Sequence, residues 1–179
     1  AVEVTNADSL TAFNDNGFSV GSSNNENQSG VDYVAWCFNA GSGNAASNTD
    51  GTITSTVKVN QDAGFSIVKW TSDGSTGLEV GHGLSSTPEM IIYKRTSSTS
   101  NWSVYTDAID GSWDFLRLNT TDAKSDSSNT AANSSLIRNI STLGNWIAYC
   151  FHSVTSYQKI GTYTGNNTGD NQNNVIETG

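Results

Sequence analysis

Proline, cysteine and charge are all scarce in this sequence. Its 179 residues include one proline and two cysteines, and only 14% of them are charged. Two cysteines cannot build the disulfide framework of a small secreted domain, and the spacing of Cys37 and Cys150 matches no zinc motif. No apolar run approaches the ~20 residues that a bilayer span needs, and the first residues lack the basic and apolar regions of a signal peptide. We therefore expect no membrane insertion.

Basic residues are also few. Eight lysines and arginines stand against 17 acidic residues, which gives a formal net charge of −9, and the basic residues do not cluster. Because such a chain repels phosphate backbones, nucleic-acid binding is not expected.

The abundant residues are Asn, Ser, Thr and Gly, which are typical of turns and polar strand faces. Five Trp, six Tyr and six Phe argue against disorder, since disordered chains are poor in aromatics. A chain of this length buries about 70% of the surface that its unfolded form exposes, so a core without disulfides is feasible. The composition indicates a folded, loop-rich protein.

Short runs with period-two alternation recur along the chain and are separated by clusters of Gly, Asn, Asp and Ser. These runs predict strands over residues 17–20, 32–38, 52–59, 65–71, 89–95, 102–106, 113–119, 136–140, 145–152 and 157–164. No window shows a 3.6-residue apolar stripe. The pattern therefore predicts one all-β domain over residues 1–179, an antiparallel β-sandwich or jelly roll.

The sequence also repeats part of itself. Residues 33–38, Tyr-Val-Ala-Trp-Cys-Phe, resemble residues 146–151, Trp-Ile-Ala-Tyr-Cys-Phe, position by position at an offset of 113 residues. A weaker repeat relates residues 67–71 to residues 160–164. The stretch of about 39–62 is then an insertion found only in the first copy. This internal pseudo-repeat indicates about one and a half units of a module, cut from a longer tandem array or permuted relative to one.

The two cysteines occupy equivalent positions in the repeat. Each shares a strand face with a small residue, Ala35 beside Cys37 and Ala148 beside Cys150, which predicts close packing against another layer. Buried, inert thiols are expected, and a Cys37–Cys150 disulfide and a reactive thiol are the alternatives. Trp36, between Ala35 and Cys37, is predicted to lie in the core.

Residues 80–94, Val-Gly-His-Gly-Leu-Ser-Ser-Thr-Pro-Glu-Met-Ile-Ile-Tyr-Lys, are similar to a pattern in virion-associated proteins of marine bacteriophages. In those proteins His-Gly-Leu, a short turn and Pro lead into an apolar strand that ends in Lys. Counterparts of residues 33–38, 101–105, 118–119 and 157–165 extend the resemblance over about residues 14–179.

The resemblance implies concanavalin-A-like or related β-sandwich modules of structural or tail-associated proteins, located on the virion or outside the cell. It implies a role in display or host-surface binding and brings no catalytic residues with it. That family usually continues into another strand beyond Gly179. A partner subunit is expected to cover the resulting sheet edge, so a homo-oligomer is expected.

Carbohydrate binding needs an aromatic ring to stack on a sugar face, next to short polar groups that bond its hydroxyls. Two segments, residues 101–107 and 110–114, offer that mixture. Trp113 beside Gly-Ser is the preferred stacking residue. The full predicted ligand-binding set is Trp113, Trp102, Tyr105, Asn101, Asp107 and Asp110, with core packing as the alternative for each tryptophan.

No cofactor is expected. Calcium is an alternative, because residues 48–51 (Asn-Thr-Asp-Gly) and 170–173 (Asp-Asn-Gln-Asn) supply oxygen ligands, although neither matches an EF-hand loop.

One enzymatic alternative rests on residues 157–163, Tyr-Gln-Lys-Ile-Gly-Thr-Tyr, which resemble a strand of jelly-roll alginate lyases. By that resemblance Tyr163 would transfer protons during β-elimination, with Lys159 near the acidic sugar and His82 as the histidine. The arginine-rich strand and the Gln-x-His motif of those lyases are missing.

The sequence thus predicts a virion structural or appendage module that binds a glycan or a host surface. Its expected partners are carbohydrate or the host cell surface and other virion subunits. The alternatives are a purely structural decoration or fibre subunit and a uronate lyase.

Overall fold

The computed structural model describes residues 4–165, and every regular element in that range is a β-strand. The strands are β1 (Leu10–Asn14), β2 (Gly17–Val20), β3 (Ala46–Asn48), β4 (Ser55–Asn60), β5 (Phe65–Ser72), β6 (Val80–Gly81), β7 (Met90–Arg95), β8 (Ser103–Thr106), β9 (Asp114–Arg117), β10 (Ser125–Asp126), β11 (Leu136–Ile137) and β12 (Gly144–Phe151). The described range contains no helix of the length and apolarity that a membrane span requires. The all-β prediction is confirmed.

The chain divides into two compact units, one that ends at Phe38 and one that begins at Asn39. The single domain predicted over residues 1–179 stays a prediction. The first unit contains the hairpin of β1 and β2, in which Asn14 pairs with Gly17 across a two-residue loop.

The second unit is built on an antiparallel eight-stranded sheet. Its strand order is β10-β9-β8-β7-β12-β5-β4-β3, so β12 lies between β7 and β5. A small two-stranded sheet of β6 and β11 is the second layer, and Val80 pairs there with Ile137. The antiparallel sandwich prediction is confirmed, while the jelly-roll and concanavalin-A-like labels stay predictions.

Period-two alternation sorts the side chains of the large sheet onto two faces. On β5, Val68 and Trp70 point to one face and are buried. Lys69 and Thr71, which alternate with them along the strand, are exposed. The buried face packs against Val80 and Ile137 of the small sheet, both at most 1% exposed, and forms the main core. We call this the inner face of the large sheet.

Most of the predicted strands are present, but their ends are shorter in places: the strand predicted over 136–140 covers only Leu136–Ile137. The sequence pattern did not predict β1, β3, β6 and β10. Within the described range, residues 157–164 join no strand beyond an isolated bridge between Val154 and Gln158. Residues 166–169, Asn-Asn-Thr-Gly, whose composition predicts a turn, lie outside the described range.

The strand predicted over residues 32–38 is wrong. These residues form no strand, and Trp36, predicted to lie in the core, is 82% exposed. The reason is competition within the repeat. Residues 146–151 carry the same pattern and already occupy, as part of β12, the position between β5 and β7.

The two cysteines therefore differ in environment, although their sequence contexts match. Both are free thiols, with Cys150 buried and Cys37 exposed. The prediction of a buried thiol is confirmed for Cys150 and wrong for Cys37, and the disulfide alternative is not realised.

Candidate functional site

Aromatic side chains from four adjacent strands meet on the inner face of the large sheet. The strand register places Trp146 directly opposite Trp70, and Tyr93 directly opposite Ala148 on the other edge of β12. Tyr105 of β8 pairs with Ile91, which puts its ring on the same face. Aromatic residues at alternate positions of neighbouring strands thus form one continuous row.

The rings of this row touch in sequence. Trp70 and Trp146 stack with centroids 6.2 Å apart, and Trp70 meets Tyr93 edge-on at 6.2 Å. Tyr93 meets Tyr105 edge-on at 5.2 Å, and Tyr105 stacks on Trp113 at 6.1 Å. Offset stacks and edge-to-face pairs are the favoured aromatic geometries, so the row is a rigid surface.

This row lines a cleft of about 160 Å³. Short polar side chains, one arginine and one isoleucine complete the lining: Ser103, Asn129, Arg138, Asn139, Ile140, Ser141 and Thr142. Apolar rings beside a few convergent polar groups are the usual composition of a binding site for a small organic ligand. We call this site the aromatic cleft.

Hydrogen bonds hold the polar side of the aromatic cleft in place. Nδ2 of Asn129 donates to the Tyr105 hydroxyl at 3.2 Å, and Nδ2 of Asn139 donates to Oδ1 of Asn129 at 3.3 Å. Asn139 has a backbone φ of 58°, a left-handed conformation that asparagine tolerates better than most residues. Burial raises the pKa of Tyr105, so its hydroxyl stays protonated and can donate a hydrogen bond.

Arg138 brings the positive charge to the aromatic cleft. Its Nε donates to Oε1 of Glu79 at 2.9 Å, and the two side chains are partly exposed. The pair orients the planar guanidinium group through Nε.

Two of the residues predicted to bind ligand line this cleft, namely Trp113 and Tyr105. Trp102 and Asn101 do not line it. Trp102 stacks on Tyr149, whose neighbours Ala148 and Cys150 point to the inner face, so Trp102 lies on the opposite face of the sheet. Oδ1 of Asn101 accepts a hydrogen bond from Asn119 at 2.9 Å.

The two predicted aspartates belong to the turn before β9. The backbone oxygen of Asp107 accepts from the amide of Gly111 at 3.0 Å, and the Asp110 carboxylate accepts from the amide of Ser112 at 3.0 Å. Asp110 also pairs with Lys124. The cation at Lys124 and the bonds from Ser112 hold the pKa of Asp110 well below its usual range.

The carboxylates of Asp110, Asp114 and Asp126 lie within 4.8 Å of one another, and the Lys124 ammonium contacts all three. These hydrogen bonds, above all that with Asp110, raise the pKa of Lys124. A cation of the chain itself therefore offsets part of the negative charge of this group. Of the two calcium candidates, residues 48–51 form a turn in which Oδ1 of Asn48 accepts from the amide of Asp50 at 3.0 Å. Residues 170–173 lie outside the described range.

His82, the histidine of the lyase alternative, is fully buried. Its Nδ1 accepts from the amide of Leu84 at 3.1 Å, and its Nε2 lies 3.0 Å from the backbone oxygen of Asn133. These partners define a neutral ring protonated on Nε2. A Cβ at the flanking Gly81 would overlap the side-chain amide of Asn48, so a larger residue there would displace that side chain. His82 thus joins two loops, and neither ring nitrogen is free for a substrate proton.

Tyr163 and Lys159, the other two residues of the lyase alternative, are exposed, Tyr163 to 73%. Neither contributes to the lining of the aromatic cleft.

Sequence reasoning missed the three aromatic residues from central strands, Trp70, Tyr93 and Trp146, together with Arg138, Asn129 and Asn139. The available signal was alternation, because Trp70 and Trp146 share a strand face with the small residues at positions 66, 148 and 150. Small side chains next to large rings on one strand face leave space, and a cleft can form in that space.

Comparison with known proteins identifies the family to which the chain belongs. No curated protein and no solved structure matches it. A family model matches over residues 1–179, and the chain belongs to the family described as Domain of unknown function (DUF7483).

Proposed function

We propose that the aromatic cleft binds a carbohydrate. The observation that carries this proposal is the stacked pair of Tyr105 and Trp113, partly exposed at the cleft and backed by the ring of Tyr93. A sugar ring has an apolar face of C–H groups that packs on such an aromatic surface. Asn129, Asn139 and Arg138 lie beside the rings, where they can bond the hydroxyls at the sugar edge.

The size of the cleft limits the ligand. Its volume of about 160 Å³ is below the range of roughly 300–1,000 Å³ that holds drug-sized ligands. The cleft therefore suits one sugar unit, at the end or at a branch of a glycan. Nε1 of Trp70 is buried without a hydrogen-bond acceptor among the described residues, and a sugar hydroxyl that reached the indole edge would supply one.

The context proposed for this activity is a virion or extracellular appendage whose glycan ligand lies on a host surface. The resemblance of residues 80–94 to virion-associated proteins supports this context. A purely structural decoration or fibre subunit is the alternative, and it predicts that the aromatic cleft binds no glycan.

Binding to a glycan array tests the proposal with three proteins: the wild type, Trp113→Ala and Trp102→Ala. Trp102→Ala is the matched control, because it removes the same side chain from the opposite face of the sheet. Loss of a central aromatic contact lowers affinity by about ten-fold or more. We expect that loss for Trp113→Ala alone. Equal signals from all three proteins would overturn the aromatic cleft as the site, and absence of any signal would favour the structural alternative.

A further inference from the structure

The charge in the lining of the aromatic cleft is positive. Among the described residues that line the cleft, one is charged, and it is Arg138. The chain as a whole is acidic, with 17 acidic residues and a formal net charge of −9. A neutral sugar needs no charged partner, so the position of Arg138 bears on which sugar the cleft takes.

Arg138 keeps most of its hydrogen-bond donors after it pairs with Glu79. A guanidinium group has five N–H donors, and within the described residues Arg138 uses the one on Nε. Its side chain is 38% exposed, and neither terminal nitrogen is buried without a partner. The donors on those nitrogens are therefore available to a ligand. A guanidinium group binds the paired oxygens of carboxylates and of tetrahedral oxyanions through two parallel hydrogen bonds.

A second arginine, Arg95, lies beside the aromatic row. It is directly opposite Trp146 in the register of β7 and β12, so both side chains are on the inner face. A Cβ on Gly144 would lie 2.6 Å from Nε of Arg95, so this glycine leaves space for the guanidinium group. Gly144 comes shortly after Thr142, which belongs to the lining of the cleft. Arg95 thus adds positive charge next to the cleft without being part of its lining.

The charge of Arg95 has no counterion among the described residues. Arg117 pairs with Asp122 and Arg138 pairs with Glu79, whereas no carboxylate of the described range pairs with Arg95. The Nε of Arg95 is also buried, with no hydrogen-bond acceptor in that range. A buried donor without an acceptor is unfavourable, and a cation in that position favours an anion nearby. Arg95 therefore provides an indication of an anionic ligand that is independent of Arg138.

We propose that the sugar bound by the aromatic cleft is acidic, with a carboxylate or a sulfate ester that bonds Arg138 and is attracted by Arg95. This inference rests on the proposed function and names the class of its ligand. Trp113 and Tyr105 pack on the apolar face of the sugar, and the anionic group at the sugar edge accepts from the guanidinium of Arg138. Because the cleft suits one sugar unit, the acidic unit lies at the end or at a branch of the glycan.

The net charge of −9 acts against this contact. Charges more than about 8 Å apart are largely screened at physiological ionic strength, so direct contact with Arg138 outweighs the distant repulsion there. Added salt weakens the attraction and the repulsion together. A salt titration therefore does not separate them, and ligands of matched size are needed.

Matched pairs of glycans on an array provide the test. Each acidic glycan, which ends in a hexuronate, a sialic acid or a sulfated sugar, is printed beside a neutral counterpart. In the counterpart the carboxylate is reduced to CH₂OH or the sulfate is removed. A hydrogen bond to a charged group corresponds to about ten-fold in affinity, so wild-type protein should bind the acidic member of the recognised pair about ten-fold more tightly. The pair that shows this preference identifies the anion.

Three variants assign the preference to the arginines. In Arg138→Gln the ratio of acidic to neutral binding should fall to about one, and a ratio is insensitive to a general loss of affinity. Arg95→Gln, which leaves the pair of Arg138 and Glu79 in place, should lower the ratio by a smaller factor. Lys69→Gln is the matched control, because it removes the same charge from the opposite face of β5, and it should keep the wild-type ratio. Thermal melts verify that each variant folds, and Arg95→Gln decides if Arg138→Gln does not.

The failures of this inference and of the proposed function are distinguishable. If wild-type protein binds both members of every pair equally and loses both in Trp113→Ala, the acidic ligand is wrong and the proposed function stands. A preference for the acidic member that is unchanged in folded Arg138→Gln would also overturn the inference. Absence of any glycan signal would overturn the proposed function and this inference together.

Discussion

The indole rings of Trp70 and Trp146 lie parallel, with their centroids 6.2 Å apart and their planes inclined by only 9°. Trp70 is 5% exposed and belongs to the main core, whereas Trp146 is partly exposed and donates its indole N–H to the backbone oxygen of Thr142 at 2.9 Å. The pair thus joins the core of the second unit to the wall of the aromatic cleft. We therefore expect stability and the proposed ligand binding to depend on adjacent rings of one stack.

Truncation of the two rings should separate these contributions. Trp70→Ala removes a buried ring and should lower the free energy of unfolding by about 3–5 kcal/mol. Trp146→Ala removes a partly exposed ring, so we expect a smaller loss of stability together with weaker glycan binding. Urea unfolding followed by circular dichroism measures the first effect, and binding to the best array ligand measures the second. A larger loss of stability for Trp146→Ala than for Trp70→Ala would contradict this division.

Alternation predicted six of the eight strands of the large sheet and missed the edge strands β3 and β10. It could not predict which strands are neighbours. Trp113 was predicted to bind ligand because it follows Gly-Ser, and Tyr105 because residues 101–107 mix aromatic and short polar side chains; both line the aromatic cleft. Trp70 and Trp146 are separated by 75 intervening residues and meet only through the register of β5 and β12. That register depends on long-range pairing, which a local pattern does not contain.

The error over residues 32–38 has a similar cause. Their pattern matches that of residues 146–151, and both predict a central strand. The large sheet offers a single position between β5 and β7, and β12 occupies it. The local pattern of a segment indicates only that the segment can form a central strand. The number of strand positions in the sheet then decides which of the two copies forms one.

His82 should make stability depend on pH near neutrality. Burial lowers the pKa of the folded imidazole below its unfolded value of about 6.5. Unfolded chains then bind a proton that folded chains do not, so the contribution to stability is complete above about pH 6.5 and is lost as the pH falls toward the folded pKa. The window above about pH 5.5 isolates this effect, because carboxylates with pKa values near 4 remain ionised there.

Two measurements check this pH dependence. The free energy of unfolding should fall between pH 7 and pH 5.5, with a smaller fall for His82→Gln, although that variant is less stable overall. The imidazole C–H resonance of His82 in an NMR titration should shift only below about pH 6.5. A midpoint at or above that pH would contradict the neutral, buried ring.

The Lys124 cluster should contribute to stability over a defined pH range. Lys124→Gln leaves the fully buried carboxylate of Asp114 without its cation and leaves Asp110 and Asp126 to repel each other. We expect a lower thermal midpoint for Lys124→Gln than for Lys69→Gln, a control at an exposed position of β5. Breaking an ion pair that involves a buried charge is more harmful than removing an exposed charge.

The pKa shifts of Asp110 and Lys124 set the limits of that pH range. The lowered pKa of Asp110 means that its contribution is present above about pH 4 and is lost as the pH falls through the folded pKa. The raised pKa of Lys124 means that its contribution is present below about pH 10.4 and is lost as the pH rises through the folded pKa. The difference between the two variants should be constant from about pH 5 to pH 10, and a difference that vanishes within that range would count against the cluster.

The two thiols should react very differently in the native protein. Burial raises the pKa of Cys150 to about 12, and the thiolate is the nucleophile, so this residue is inert at pH 8. Cys37 is exposed. A thiol-reactive dye should therefore label one equivalent in dilute native protein, two in denaturant and none in native Cys37→Ser. Two fast equivalents in the native protein would contradict the buried environment of Cys150.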